Sequence, residues 1–228
     1  KMVRKLKDKQ LKDFWNNELG KAGEFQRVKM TAGVTAKIGR FLFSASAKRI
    51  LEQPVSTIDF DDILASNKIL ICNFSKGLIG EDTSALFGTT VLAKLQLAAL
   101  RRARLEQAAR QPFYLYVDEF QNFATDSFAT ILSEARKYGL NLTVANQYIS
   151  QMSDTVRDAV FGNVGSMVSF RVSADDAPFL VKQFEPQFEA TDLLQMHNRN
   201  FVVNMVIQGE KTPAFSATTL ALPTASTD

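Results

Sequence analysis

Apolar positions change their period once along the chain. Over the first quarter, Leu6, Leu11, Phe14, Trp15 and Leu19 recur at roughly helical steps with lysines and aspartates between them. Gly20 and Gly23 punctuate this stretch, and a second one follows with Val34, Ile38, Phe41 and Leu42 on one side. Gln53-Pro54 closes the region, because proline cannot continue a helix. No strand pattern occurs here, so residues 1–55 are predicted to be all-helical.

From Ser56 onward, short apolar runs alternate with helical patterns. KILICNF (68–74), FYLYV (113–117), LNLTVAN (140–146), SMVSFRV (166–172) and FVVNMVI (201–207) read as strands. Helices are predicted over 86–104, 127–138, 155–161 and 174–184. In the first, Leu92, Leu95 and Leu100 form the apolar side, and Arg101, Arg102 and Arg104 suit the C-terminal end of the dipole. In the second, Ile131, Leu132 and Ala135 face inward and Gly139 stops the helix. Strands spaced by helices predict an α/β fold with a mainly parallel sheet covered on both faces, residues 56–228 forming one unit. In such sheets ligands bind beyond the C-terminal strand ends. That directs attention to SKGLIG, DEFQNF and the Asn-Gln after LNLTVA.

Composition adds bounds. The 228 residues are 46% hydrophobic and 22% charged, an ordinary globular balance, and the net charge of +3 is too small to argue for a nucleic-acid partner. Cys72 is the only cysteine, which excludes an intrachain disulfide; within KILICNF it reads as a small core hydrophobe. His197 is the only histidine, so a histidine-based metal cluster or a Ser-His-Asp arrangement cannot be built. No apolar run reaches the ~20 residues of a membrane span. KMVRKLKDK has no signal-peptide core behind it, and the lysine-rich start alternates with aspartates as on a solvated helix face. A chain that begins at Lys1 reads as an excerpt of a longer protein.

The strongest chemical signal is YLYVDEF. An apolar strand runs up to two adjacent carboxylates, Asp118 and Glu119. Burying such a pair at a strand end is costly unless a cation meets it, and a hydrated Mg²⁺ on a nucleotide is such a cation. A strand ending in a solvated acidic turn is the other reading of the dipeptide. SKGLIG is not a P-loop: no GxxxxGK[ST] string occurs anywhere in the chain. Arg171 in SFRV reads as a partner for Asp175 or Asp176.

The segment YLYVDEFQNFATDSFATILSEARKYGLNLTVANQYISQM, with ILICNFSKGLIGEDTSALFG and VFGNVGSMVSFRV around it, resembles the Walker B-to-sensor region of conjugative (type IV secretion) coupling ATPases of the HerA–FtsK superfamily. The resemblance runs from about Ile58 to Leu220. It implies a RecA-like sheet, preceded by the end of an all-α domain over residues 1–55. It also implies ATP and Mg²⁺ as cofactors and DNA as a sequence-independent partner. Further implications are a homo-hexamer, and relaxase and secretion-channel partners. The location implied is the cytoplasm, or the cytoplasmic face of the inner membrane through parts outside these residues. By motif, Asp118 matches the Mg²⁺-side Walker B aspartate and Glu119 the catalytic glutamate. Arg136 matches a trans-acting arginine finger, and Gln147 the γ-phosphate sensor.

The missing P-loop departs from that pattern. This chain alone is therefore expected not to hydrolyse ATP, the motif lying upstream or having degenerated. Two alternatives stay open: a HerA-like DNA repair or packaging motor, and a non-hydrolysing docking or assembly module.

Overall fold

The computed structural model describes residues 2–42 and 44–221. They divide into two compact units, Lys1–Thr57 with Asn73–Leu86, and Ile58–Cys72 with Phe87–Asp228.

The first unit is helical among its described residues. It holds α1 (Met2–Lys5), α2 (Lys9–Asp13), a π-helical turn over Phe14–Glu18, α3 (Glu24–Leu42) and α4 (Ala45–Leu51). Asp8 caps α2 by accepting from Gln10 N at 2.8 Å and Leu11 N at 3.1 Å, and Ser44 caps α4 by accepting from Ala47 N. The guanidinium of Arg27 reaches back to the carbonyls of Leu19 and Gly20, tying the end of the π turn to α3. SKGLIG is not an open loop; it winds into a short helix, Lys76–Ile79, with Lys76 paired to Glu81 at 3.2 Å.

In the second unit, α5 is Phe60–Ala65. Numbering the short helix Lys76–Ile79 as α6, the long helix Glu81–Arg101 is α7. From Phe87 on, α7 places Leu92, Leu95, Ala98 and Ala99 in the core at helical spacing. Its apolar stretch is long enough by composition to cross a membrane, with a mean hydropathy of 1.2, but this same stretch supplies the interior of the unit. Leu100 points outward instead.

β1 (Phe113–Val117) and β2 (Leu140–Val144) pair in parallel, Phe113 opposite Leu140 and Val117 opposite Val144. Phe113, Leu115 and Val117 of β1 and Leu140, Leu142 and Val144 of β2 pack inward. Tyr114 and Tyr116 stay outside at 63% and 72% exposure, as do Asn141 and Thr143. The period of two is thus explicit, and among the described residues only one face of this sheet is covered, contrary to the expectation of two. The covering helices are α8 (Asp126–Glu134), which contributes Phe128 and Ile131, and α9 (Asp154–Asn163), which contributes Val156 and Val160. Ser153 caps α9 and donates to Asp126 at 2.7 Å, linking the starts of the two helices.

The remaining strands depart from a mainly parallel sheet. β3 (Met167–Ser169), β4 (Asn200–Asn204) and β7 (Phe215–Thr218) form an antiparallel sheet in the order β3-β4-β7. Val206–Ile207 (β5) and Glu210–Lys211 (β6) make a hairpin, which turns at Gln208 and Gly209, both with positive φ. Val202 of β4 packs with Ile149, Leu180, Phe184 and Leu193 in a second core, carried by α10 (Ala177–Leu180) and α11 (Ala190–Leu194). KILICNF is not a strand: Leu70 packs inward, but Ile69 and Ile71 are 90% and 87% exposed and Cys72 is exposed rather than buried. An extended apolar segment is a strand only where a neighbouring strand takes up its backbone N–H and C=O groups in a ladder, and among the described residues no strand pairs with this one.

Two buried groups hold the second unit together away from its apolar cores. Arg102, 6% exposed, follows the last turn of α7 and donates to the carbonyls of Leu64, Gln111 (2.7 Å) and Tyr138 (3.2 Å). Burial lowers its pKa, yet an arginine stays charged, so these carbonyls are what offsets its desolvation. Asp176, 1% exposed, accepts from the backbone N–H groups of Ile149 (3.3 Å) and Ser150 (3.1 Å) and, among the described residues, pairs with no arginine. Arg171, the partner expected for it, is exposed. The buried carboxylate serves instead as a cap for the Ile149–Gln151 turn.

Candidate functional site at the ends of two parallel strands

Parallel pairing with Val117 opposite Val144 brings the C-terminal ends of β1 and β2 side by side. The ladder runs one step past each strand: Ala145 N donates to Val117 O and Phe120 N to Ala145 O, both at 2.9 Å. Asp118 and Glu119 leave β1 where Ala145, Asn146 and Gln147 leave β2. Three of the four expected site residues therefore meet at one edge.

Glu119 takes a left-handed backbone conformation, φ 49°, ψ 43°, an uncommon choice for a residue with a Cβ. The following residue explains what holds it there. Phe120 is fully buried, its ring 5.1 Å from that of Phe128, and its N–H is bonded to Ala145. A chain that must both bury Phe120 and keep the ladder turns sharply at Glu119, which leaves the Glu119 side chain half-buried at the strand end.

The Glu119 carboxylate is met on both oxygens. Gln147 Nε2 donates to Oε1, and Gln121 Nε2 donates to Oε2 at 2.5 Å. Asp118 is exposed, and one of its oxygens accepts from the N–H of Glu119 at 2.9 Å. Gln147 is exposed and follows β2 without capping a helix; the next turn has Tyr148 as its N-cap. The backbone two residues beyond Gln147 is fixed by Asp176.

Arg136 does not join this group. It is exposed, in the 3₁₀ turn Ala135–Tyr138 that precedes β2, at the opposite end of the strands. Five residues at about 3.3 Å each put roughly 16 Å between the two strand ends. Its backbone setting is nonetheless fixed: Arg110 donates to Lys137 O and stacks over Tyr138 at 5.7 Å, while Arg102 holds Tyr138 O. Gly139, at φ 73°, then turns the chain into β2.

The donor set suits a hydrated divalent cation better than a bare one. Among the described residues no cluster of three or more His, Cys, Asp or Glu is present. Asp118 alone offers one exposed carboxylate, enough to accept hydrogen bonds from metal-bound waters and too little to strip them. His197 is exposed, on a loop, and apart from this site by sequence and element. Two participants escaped the sequence reading. Gln121 lies inside the string DEFQNF, but only the 3₁₀ turn Phe120–Asn122 folds it back onto Glu119. Asp176 reads in the sequence only as one of two alternative partners for Arg171.

A family model described as the TraM recognition site of TraD and TraG matches residues 112–180. Over that span the chain is similar to a domain of the conjugative coupling-protein type. The span includes β1, β2, α8, α9 and every residue of the site, from Asp118 to Gln147, together with Asp176. No curated protein matches the chain.

Proposed function

We propose that this chain is the Walker-B-bearing part of an ATP-driven DNA translocase, a coupling protein of conjugation or type IV secretion. Its phosphate-binding loop would lie outside these 228 residues. The observation that carries the reading is the meeting of Asp118, Glu119 and Gln147 at one strand edge, within the span that the coupling-protein family matches. In this reading residues 1–55 end an all-α domain, and residues 56–228 are the C-terminal half of a RecA-like nucleotide-binding domain of the HerA–FtsK kind.

Bound MgATP would supply the electrophilic phosphoryl group and the charge that activates it. Asp118 would accept hydrogen bonds from water around the cation. Glu119 would orient the attacking water and take its proton. Gln147, now donating to Glu119, would turn its amide toward the terminal phosphate. Arg136, at the far end of the strands, would serve the site of a neighbouring subunit rather than its own, in a ring of six. DNA would be held through its phosphates without reading sequence.

A second reading is favoured by the family description itself. A TraM recognition site would make this segment a docking surface for a component of the DNA-processing complex, and the lack of a P-loop in the chain agrees with it. The two readings are compatible in one protein.

The test is the DNA-stimulated ATPase activity of the full-length protein beside its Glu119→Gln variant. Turnover in the wild type, lost by a hundredfold or more in the variant with nucleotide binding kept, is the expected result. Equal turnover in both removes Glu119 from the chemistry and leaves the docking reading alone.

A further inference from the structure

We infer that Gln121 is a positioning residue for Glu119, forming a fixed amide anchor opposite the exchangeable one supplied by Gln147. The inference rests on the reading of Glu119 as the group that handles the attacking water. It starts from an asymmetry: both oxygens of Glu119 accept from a glutamine amide, but the two glutamines live in different surroundings.

Gln147 is exposed on a strand end and is free to rotate away. Gln121 is not. It sits in the 3₁₀ turn between Phe120, which is fully buried, and Phe123, whose ring lies against Gly88 of α7. Its Nε2 bonds Glu119 Oε2 at 2.5 Å, and its Oε1 is buried without a hydrogen-bond partner among the described residues. A buried amide oxygen without a donor is destabilising. A side chain kept there for packing alone would do better as a hydrocarbon of the same shape. What the amide adds is a single bond, to Glu119.

The consequence is a division of labour. When Gln147 leaves Oε1, the carboxylate keeps its orientation because Oε2 is still held. Oε1 then has a lone pair open to water. Without Gln121, release of Gln147 would free the whole side chain to rotate, and an oriented acceptor would become a mobile one.

Gln121→Met tests this, because methionine keeps the length and removes both the anchor and the unpartnered oxygen. In the full-length protein, kcat for ATP is expected to fall by about tenfold with KM unchanged. The melting temperature is expected to stay level or rise. Gln121→Glu, of the same shape, is expected to lose at least as much activity, since an ionised carboxylate donates nothing and repels Glu119. Wild-type kcat in Gln121→Met, or a loss carried by KM, overturns the inference while Glu119→Gln remains inactive. Absence of wild-type turnover, or full turnover in Glu119→Gln, overturns the reading of the site and the inference with it.

Discussion

Gln147 donates its side-chain amide to Oε1 of Glu119, joining the ends of two parallel strands across 28 residues of sequence. The bond occupies a lone pair of the carboxylate, so it opposes proton transfer to that oxygen as long as it stands. A residue that both blocks the base and can bond a phosphate is suited to report which of the two is present. Gln147→Ala in the full-length protein is therefore expected to lower kcat tenfold or more. It should also weaken the coupling between DNA and ATPase, seen as a smaller ratio of stimulated to basal turnover. Because Gln147 is exposed, its melting temperature should shift by no more than about 2 °C.

Arg101 and Arg102 are neighbours with opposite surroundings, and burial decides which one stabilises. Arg101 forms a two-pronged pair with Asp61, at 2.6 and 2.8 Å, in full view of solvent. Such pairs contribute little, and Arg101→Ala is expected to leave the urea midpoint nearly unchanged. Arg102 donates into a buried meeting of three carbonyls from three segments. Arg102→Ala strands Leu64 O, Gln111 O and Tyr138 O and is expected to cost about 3 kcal/mol or more. A change smaller than that of Arg101→Ala would show that water replaces the guanidinium.

Gly139 ends the turn that carries Arg136 and begins β2. Its φ of 73° is a left-handed conformation, and an added Cβ would stand 3.3 Å from Gln111 O and 3.4 Å from the Arg102 guanidinium. Strain and crowding act together, so Gly139→Ala is expected to destabilise by about 1–2 kcal/mol. Chemical denaturation read by circular dichroism checks this; an unchanged midpoint would mean the turn relaxes.

The sequence made α7, β1 and β2 legible because each carries its own period and its own stop. Gly139 ended one element, and the two carboxylates of Asp118-Glu119 ended another. KILICNF failed for a physical reason: whether an apolar extended segment is a strand depends on a partner, and the run holds no information about one. The direction of β3 and β4 was hidden likewise, since an apolar run such as FVVNMVI reads the same in a parallel or an antiparallel ladder. At the site, the acidic pair and Gln147 could be found as polar residues closing apolar strands. Gln121 could not, because its role is made by a turn, and Asp176 could not, because its two partners are backbone N–H groups 26 and 27 residues away.

Gly88 and Phe123 fit as a pair. A Cβ on Gly88 would lie 2.2 Å from the Phe123 ring, so α7 accepts the ring only because that position has no side chain. Gly88→Ala must push the ring aside, at about 1–3 kcal/mol, and with it the turn that carries Gln121. In a Phe123→Ala background the same substitution should be neutral or stabilising, because alanine is favoured over glycine in a helix by about 1 kcal/mol. The double-mutant cycle should show a coupling above about 1 kcal/mol; additive effects would mean the ring moves without cost.

Arg136 stands at the wrong end of its own strands to reach the Glu119 edge, and its turn is pinned by Arg110 and Arg102. An exposed guanidinium on a rigid turn, remote from the site in the same chain, is useful to the proposed ATPase only if a neighbouring subunit brings it there. Subunit mixing distinguishes this from a surface role. In a ring, an Arg136→Ala subunit disables the site of its neighbour, while a Glu119→Gln subunit disables its own. Singly, each variant should lose activity. Mixed together, they should recover part of it, since some adjacent pairs then combine an intact Glu119 with an intact Arg136. The recovered fraction should peak near equal proportions. No recovery at any ratio, together with full activity of Arg136→Ala alone, would remove the arginine from the reaction and leave it as one more solvated charge.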